Sequence, residues 1–184
     1  MAKKIKQFPT PQFEGKSKSE IFELLYNRYV DDLYAFGVHM GMNQALVKDA
    51  IHDVFLAMFA RDGDLAYIGD IKSYLFRALN NRIIDLWRCH TPSVGVEALN
   101  SVCVDRSNID KIEDADVAQN VANHLNLIMQ KLTYNQRSAV YLRFICEMKY
   151  SDIAVILNCT EHAARKFVSK ALANMRKYQN KLGQ

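Results

Sequence analysis

The sequence predicts an all-α protein made of two helical domains joined by a flexible linker. Seven glycines and three prolines in 184 residues are few, which disfavours an architecture with many turns and favours helices. Apolar residues recur at spacings of three and four over two long blocks, as they do on the buried side of a helix. Between these blocks, residues 91–118 are rich in Pro, Gly, Ser, Asn and acidic residues, a composition typical of a linker.

The first block, residues 20–90, is predicted to fold as a bundle of three to four helices with its own core. Its first helix is expected to follow an N-cap at Ser19 and to end at Gly41, because a hydroxyl caps a helix start and glycine tolerates the turn after its end. A second helix follows the candidate N-cap Asn43, and a third covers residues 71–90. Their apolar stripes indicate packing against a shared interior.

The second block, residues 119–184, is predicted to be a second helical domain. Thr133 is the expected N-cap of one of its helices. The inward side of that helix is expected to carry four apolar residues: Val140, Leu142, Phe144 and Ile145.

The stretch "YSDIAVILNCTEHAARKFVSKAL", residues 150–172, has the pattern of a helix-turn-helix. Ala154 permits a close helix crossing, Asn158 tolerates a left-handed turn, and Thr160 can cap the second helix. The outward side of the second helix then carries Glu161, His162, Arg165, Lys166, Ser169 and Lys170. Arg and Lys in such positions suit phosphates and guanine edges in a major groove. A plain helical hairpin with a solvated basic side would show the same pattern.

The third helix of the first block carries a different signal. The stretch "YLFRALNNRIIDLWR", residues 74–88, interleaves aromatic, basic and amide side chains. Aromatic rings and guanidinium planes stack on unpaired bases, amides read base edges, and basic side chains hold phosphates. The composition favours contact with single-stranded nucleic acid, and an amphipathic helix with its aromatic residues in a core is the alternative.

The net charge of +4 is unevenly distributed along the chain. Residues 119–184 hold ten bases and three acids, for a net charge of +7, whereas residues 91–118 have a net charge of −4. Residues 1–19 form a basic leader that is predicted to be flexible. The basic C-terminal block favours an anionic partner.

Three segments together resemble a known family. The segments "DAIHDVFLAMFA", "IKSYLFRALNNRIIDLWR" and "NQRSAVYLRFICEMKYSDIAVILNCTEHAARKFVSKAL" resemble, in this order and spacing, an extracytoplasmic-function (ECF) sigma factor of bacterial RNA polymerase. These small members of the sigma-70 superfamily keep only regions 2 and 4. The resemblance implies region 2 at residues 20–90 and region 4 at residues 119–184. It also implies a transcription initiation factor rather than an enzyme.

The resemblance implies partners as well. The positions Asp49, Asp53, Val54 and Phe55 resemble the surface that docks on the clamp helices of the polymerase's largest subunit. Promoter DNA is the second implied partner, and an anti-sigma factor is a third.

The DNA contacts implied by the resemblance fall in two places. Arg77, Asn80, Asn81 and Arg82 match the helix that opens the −10 element and holds a flipped-out base, at a cost of a few kcal/mol of unstacking. The helix-turn-helix resembles the reader of the −35 element, and its matching positions are Thr160, Arg165, Lys166, Ser169 and Lys170. Arg137 resembles a contact to the DNA backbone. Because the family usually has glycine where Asn158 stands, the promoter sequence itself is not predicted.

Other kinds of site find less support in the sequence. Cys159 and His162 have no second pair to complete a tetrahedral zinc site, so we expect no metal and no cofactor. No Ser-His-Asp order, phosphate-binding glycine loop or H-E-x-x-H motif is present, so no enzyme activity is predicted. The chain also lacks an export signal and an apolar run of roughly 20 residues. We therefore expect a cytoplasmic protein without membrane insertion.

Two other functions stay open on the sequence. A one-component transcription regulator would place a helical sensing or dimerisation domain before the same helix-turn-helix. A helical adaptor that binds proteins alone would show no salt-dependent affinity for DNA. Residues 71–88 separate both from a sigma factor, since only a sigma factor needs single-strand contacts there.

Overall fold

The computed structural model describes residues 15–60, 70–90, 128–129 and 131–182, and within these ranges the protein is all-α, as predicted. The N-terminal part contains α1 (Lys18–His39), α2 (Gln44–Phe59) and α3 (Ile71–His90). The C-terminal part contains α4 (Tyr134–Val140), a π-helical turn (Tyr141–Ile145), α5 (Tyr150–Ile156) and α6 (Glu161–Leu182). The predicted linker and most of the predicted leader lie outside the described residues. None of the described helices is both long enough and apolar enough to span a membrane.

The N-cap of α1 is Ser17, and the prediction of Ser19 is wrong. The Ser17 hydroxyl accepts a hydrogen bond from the Glu20 N–H at 3.3 Å, and the Glu20 carboxylate accepts one from the Ser17 N–H at 2.6 Å. This reciprocal capping box lowers the pKa of Glu20, chiefly because the Ser17 N–H binds the charged carboxylate. Ser17 is the cap because Glu20 stands three residues after it, whereas Ser19 has no glutamate at that spacing.

The crossing of α1 and α2 depends on a glycine. A Cβ atom at Gly37 would lie 2.6 Å from the Val47 Cγ1 atom, so only glycine permits this approach. The predicted end of α1 is confirmed, because Gly41 takes the left-handed φ of +89°. The predicted start of α2 is confirmed too, since Asn43 Oδ1 accepts a hydrogen bond from the Ala45 N–H at 2.8 Å.

The helix predicted after Thr133 begins as expected. The Thr133 hydroxyl accepts a hydrogen bond from the Gln136 N–H at 3.4 Å, and the Gln136 side chain accepts one from the Thr133 N–H at 3.3 Å. This second capping box fixes the first turn of α4.

The same helix does not continue as a regular α-helix. From Tyr141 the backbone forms the π-helical turn, which changes the side to which the following residues point. Val140 and Leu142 are buried, as predicted. Phe144 and Ile145 are 54% and 66% exposed, so the prediction that they face inward is wrong.

The N-terminal and C-terminal parts share one core. The Phe36 ring of α1 meets the Phe76 ring of α3 with centroids 5.5 Å apart, and it meets the Tyr141 ring at 5.7 Å. The α3 helix also packs against α5, and its buried side consists of Leu75, Phe76, Leu79 and Ile83. The two predicted domains are therefore in direct contact in this structure.

Candidate nucleic-acid interface

The corner between α5 and α6 has the predicted helix-turn-helix geometry. Asn158 takes a φ of +50°, and the Cys159 N–H donates a hydrogen bond to the Ala154 carbonyl at 2.9 Å. The Thr160 hydroxyl accepts a hydrogen bond from the Ala163 N–H at 3.2 Å and caps α6. Asparagine and threonine thus take the two positions that the turn requires.

Burial separates the two sides of this helix pair as the sequence predicts. Of the residues predicted to face inward, Leu157 is half-buried and the others are buried: Ile153, Ile156, Ala164, Val168 and Ala171. The outward residues of α6 are all exposed: Glu161, His162, Arg165, Lys166, Ser169 and Lys170. We call this exposed set the α6 face. The α6 face carries three cationic side chains, and the opposite side of α6 is packed against the rest of the protein.

Arg165 of the α6 face is held by two neighbours. Its Nη2 atom lies 2.5 Å from the Glu161 Oε1 atom, and its guanidinium carbon lies 4.5 Å from the centroid of the Tyr150 ring. The guanidinium of Arg143 approaches the same ring at 5.1 Å. Each exposed contact contributes about 0.5–1 kcal/mol, which is enough to favour one side-chain conformation. Sequence reasoning missed Tyr150, because this contact depends on the angle between α5 and α6.

The four strand contacts predicted on α3 do not share one surface. Arg77 and Asn81 are exposed. Arg82 is also exposed and forms an ion pair with Asp53 of α2, with Nη2 and Oδ2 2.8 Å apart. The predicted DNA surface and the predicted polymerase surface therefore meet at this pair.

Asn80 lies away from those three residues and is 2% exposed. Its Oδ1 atom accepts a hydrogen bond from the Tyr134 hydroxyl at 2.8 Å, and its Nδ2 atom donates one to the Ile156 carbonyl at 3.3 Å. Both ends of the amide are thus used by the C-terminal part. The structure places Asn80 between the two parts and not on the surface where it was predicted.

Arg137 also lies in the interior, with 1% exposure. Its Nε atom donates a hydrogen bond to the Met129 carbonyl at 3.1 Å, and its Nη2 atom donates one to the Leu132 carbonyl at 3.5 Å. A buried guanidinium needs such acceptors, so Arg137 ties the chain before α4 to that helix. In this arrangement it cannot serve as the predicted contact to the DNA backbone.

Two of the four predicted polymerase contacts are core residues. Val54 is 5% exposed and Phe55 is fully buried. The Phe55 ring lies 5.1 Å from the Tyr26 ring, measured between centroids. These two residues hold α2 in place from within, and they present almost no surface to a partner in this structure.

The exposed side of α2 offers a different set. Asp49 and Asp53 are exposed, as a docking surface requires. Leu56 is 51% exposed and lies one turn from Asp53 along the same helix. Sequence reasoning missed Leu56, although its position off the apolar stripe was the available signal.

No group of three or more His, Cys, Asp or Glu side chains within the described ranges is placed to hold a metal ion. Cys159 is half-buried, and burial raises the pKa of its thiol. His162 is exposed on the α6 face.

The sequence matches two family profiles in the order that the resemblance implies. Sigma-70 region 2 matches residues 25–92, and Sigma-70, region 4 matches residues 124–175. Among curated proteins, the chain is 22% identical over 161 residues to the ECF RNA polymerase sigma factor SigM of Bacillus subtilis (strain 168). That match covers 85% of this chain and 94% of SigM.

Two solved structures share the fold. CnrH, in complex with the cytosolic domain of CnrY, superposes with a TM-score of 0.63 at 19% identity, over 90% of each chain. The sigma factor RpoE, in complex with the anti-sigma factor NepR from Bartonella quintana, superposes with a TM-score of 0.64 at 18% identity. The latter match covers 88% of this chain and 98% of RpoE.

Proposed function

Because the chain belongs to the sigma-70 family, with regions 2 and 4 arranged as in ECF sigma factors, we propose that it binds core RNA polymerase and directs it to specific promoters. The observation that carries the proposal is the joint presence of both regions, each with an exposed set of DNA-compatible side chains. Such a protein acts in the cytoplasm. It catalyses no covalent step, since strand separation follows from tighter binding to the opened strand.

We assign the −35 element to the α6 face. Arg165, Lys166 and Lys170 present positive charge along one side of α6, and Ser169 adds a hydroxyl between them. A helix anchored by its apolar side and basic on the other fits a major groove. The capped start of α6, at Thr160, lies next to the same groove in this assignment.

We assign the −10 element to the exposed side of α3. Arg77 and Asn81 are one turn apart, so a guanidinium and an amide face the same solvent region. A guanidinium stacks on an unpaired base or holds a phosphate, and an amide reads a base edge. Arg82 joins this surface when its exposed ion pair with Asp53, worth about 0–1 kcal/mol, is exchanged for a phosphate.

We assign polymerase docking to the exposed side of α2. Asp49 and Asp53 supply carboxylates, and Leu56 supplies an apolar side chain between polar neighbours. A partner can bury the leucine, and the two carboxylates can pair with basic side chains of that partner. Val54 and Phe55 contribute only by keeping α2 in place.

An inhibitory protein of the anti-sigma kind is a further proposed partner. The two solved structures described above are complexes, CnrH with the cytosolic domain of CnrY and RpoE with the anti-sigma factor NepR. This chain has an apolar groove of about 480 Å³, lined by Met129 and by residues of α1, α4, the π-helical turn and α6. Phe144 and Ile145 are among the lining residues, and both are exposed. An apolar helix of a partner fits such a groove.

The experiment that tests the proposal combines the full chain with core RNA polymerase on a library of genomic promoters. We expect a stable complex and transcripts that start at a small set of sites. Leu56→Asp should weaken the complex with polymerase, whereas Gln44→Asp, at an exposed position on another side of α2, serves as the matched control. A chain that is folded but shows no association with core polymerase would refute the proposal.

A further inference from the structure

Glu161 is the acidic member of the α6 face. It shares that surface with Arg165, Lys166 and Lys170, and its side chain is 49% exposed. It is the first residue of α6, directly after the Thr160 cap. A carboxylate is repelled by phosphates, so Glu161 opposes the general attraction between α6 and DNA. Its place on a surface assigned to DNA therefore needs a more specific explanation.

A structural role accounts for part of this arrangement. An acid in the first turn of a helix is stabilised by the helix dipole. The Glu161 Oε1 atom also accepts a hydrogen bond from the Arg165 Nη2 atom at 2.5 Å. This contact uses one of the two carboxylate oxygens, whereas a carboxylate can accept about four hydrogen bonds. Glu161 thus keeps acceptor capacity on the side that faces solvent.

The ion pair also fixes where the polar ends of the two side chains lie. The Arg165 guanidinium carbon lies 4.5 Å from the centroid of the half-buried Tyr150 ring, which limits its movement. Glu161 and Arg165 are one helical turn apart, about 6 Å along α6, or roughly two base steps of B-DNA. Because their polar ends are in contact, they face the same base pair or two adjacent ones.

Few groups in a major groove match such a carboxylate. Guanine presents two acceptors, and thymine presents an acceptor and a methyl group. Cytosine presents the N4 amino group as a donor, whereas adenine presents a donor beside the N7 acceptor, which repels a carboxylate. Arg165 in turn suits O6 and N7 of guanine. The pair therefore fits a cytosine that lies within one base step of a guanine.

We propose that Glu161 selects a cytosine in the −35 element, because its carboxylate accepts a hydrogen bond from the cytosine N4 amino group, within one base step of the guanine that Arg165 contacts. A sequence without a donor at this place leaves the carboxylate unpaired in the groove and is rejected. The inference rests on the proposed function, since it requires the α6 face to lie in a major groove. It adds the identity of a base to that function.

The test uses the polymerase complex on one promoter from the genomic library, with its −35 element randomised and the transcribed templates sequenced. We expect the parent chain to select a cytosine within one base step of a guanine. Glu161→Gln replaces the carboxylate by an amide, which suits N6 and N7 of adenine. The preference at the cytosine position should therefore shift to adenine by about tenfold, and the other positions should keep the parent preference.

Two further variants separate a base contact from a general effect of charge. Glu161→Ala has no acceptor, so the cytosine position should accept all four bases within about threefold. Glu147→Gln removes an exposed carboxylate from the turn before α5, off the α6 face, and is the matched control. It should select the parent motif.

An altered base tests the contact without any selection. N4-methylcytosine still pairs with guanine, but it turns a methyl group toward the major groove in place of the N–H. With this base at the selected position, we expect the parent complex to bind the promoter about tenfold more weakly. The Glu161→Ala complex should bind the modified and unmodified promoters equally well. Equal losses in the two complexes would contradict a hydrogen bond from this amino group to Glu161.

The selection has three outcomes that would overturn the proposal. The first is a parent motif without a cytosine beside a guanine. The second is the parent motif in both Glu161→Gln and Glu161→Ala. The third is a Glu161→Ala motif relaxed at the guanine alone, which would make Glu161 a support for Arg165 and nothing more. A parent chain that selects no −35 motif at all would instead refute the −35 assignment itself, and the cytosine contact with it.

Discussion

The two helices that we assign to DNA, α3 and α6, differ in how many neighbours they have. The α6 helix is anchored along one side, so every residue of its outward set is exposed. The α3 helix has α2 on one side and the C-terminal part on another, so its polar residues are divided between solvent, an ion pair and a buried contact. Periodicity therefore predicts the exposed side of a helix well when the helix is packed on one side, and poorly when it is packed from two directions.

The largest expected effect concerns the packed side of α3. Phe76→Ala removes a fully buried ring that contacts Phe36, so we expect the free energy of unfolding to fall by about 3–5 kcal/mol. Its neighbour Arg77 is exposed, and Arg77→Ala should change this free energy by less than about 0.5 kcal/mol. Urea unfolding of both variants measures the difference. Similar losses of unfolding free energy in the two variants would show that the Phe76 side of α3 does not belong to the core.

The next effect concerns the α6 face. Arg165→Ala should weaken discrimination between a correct and an altered −35 element by about 1–3 kcal/mol, because a base contact is lost. Binding to core polymerase should not change. Lys177→Ala removes the same charge from an exposed position about 18 Å along the same helix and is the matched control. Equal losses in the two variants would indicate attraction by charge alone.

A third effect lies at the junction of α3 with the C-terminal part. Burial raises the pKa of Cys146 from 9.0 to about 11, and burial also raises the pKa of Tyr134. The unfolded chain thus releases these protons at lower pH than the folded chain. The contribution of the protonated Cys146 thiol to the free energy of unfolding is therefore complete below about pH 9. It is lost as the pH rises toward 11.

This loss is measured as the difference in unfolding free energy between pH 8 and pH 10.5. For Cys146 it should be on the order of 1 kcal/mol, after allowance for the half-exposed thiol. Cys146→Ala should reduce the difference, and the control Cys89→Ala should not. An unchanged difference in Cys146→Ala would contradict the burial of this thiol against the N-terminal part.

The smallest effect concerns the ring under Arg165. Tyr150→Leu removes the aromatic face and should weaken −35 recognition by about 0.5–1 kcal/mol, since Arg165 then adopts more conformations. Tyr150→Phe keeps the face and should behave like the parent chain. Promoter binding by the polymerase complex, titrated with competitor DNA, compares them. A defect of the same size in Tyr150→Phe would assign the role to the hydroxyl instead.

The features that the sequence predicted correctly follow from local rules. Asn158 and Thr160 were predictable because a left-handed turn and a helix cap each restrict the residue at a single position. The buried stripe of α6 was predictable from its spacing. The all-α fold and the two regions follow from such patterns repeated along the chain.

The features that the sequence did not predict depend on distant or irregular contacts. Asn80 bonds to groups 54 and 76 residues away, which no local pattern encodes. Arg137 is buried because two carbonyls just before α4 accept its donors. Phe144 and Ile145 face outward because they lie in the π-helical turn, which changes the side to which residues point without changing the apolar pattern of the sequence.

The central claim is that α6 and α3 contact two separate promoter elements within one polymerase complex. A photo-crosslinking amino acid placed at Ser169 or at Asn81 tests it directly, with the crosslinked nucleotides mapped on the same promoter. The account predicts crosslinks from position 169 at the −35 element and from position 81 at the −10 element, about 25 base pairs apart. Crosslinks from both positions within one turn of the duplex would contradict it, since α3 and α6 would then contact one DNA site and not two.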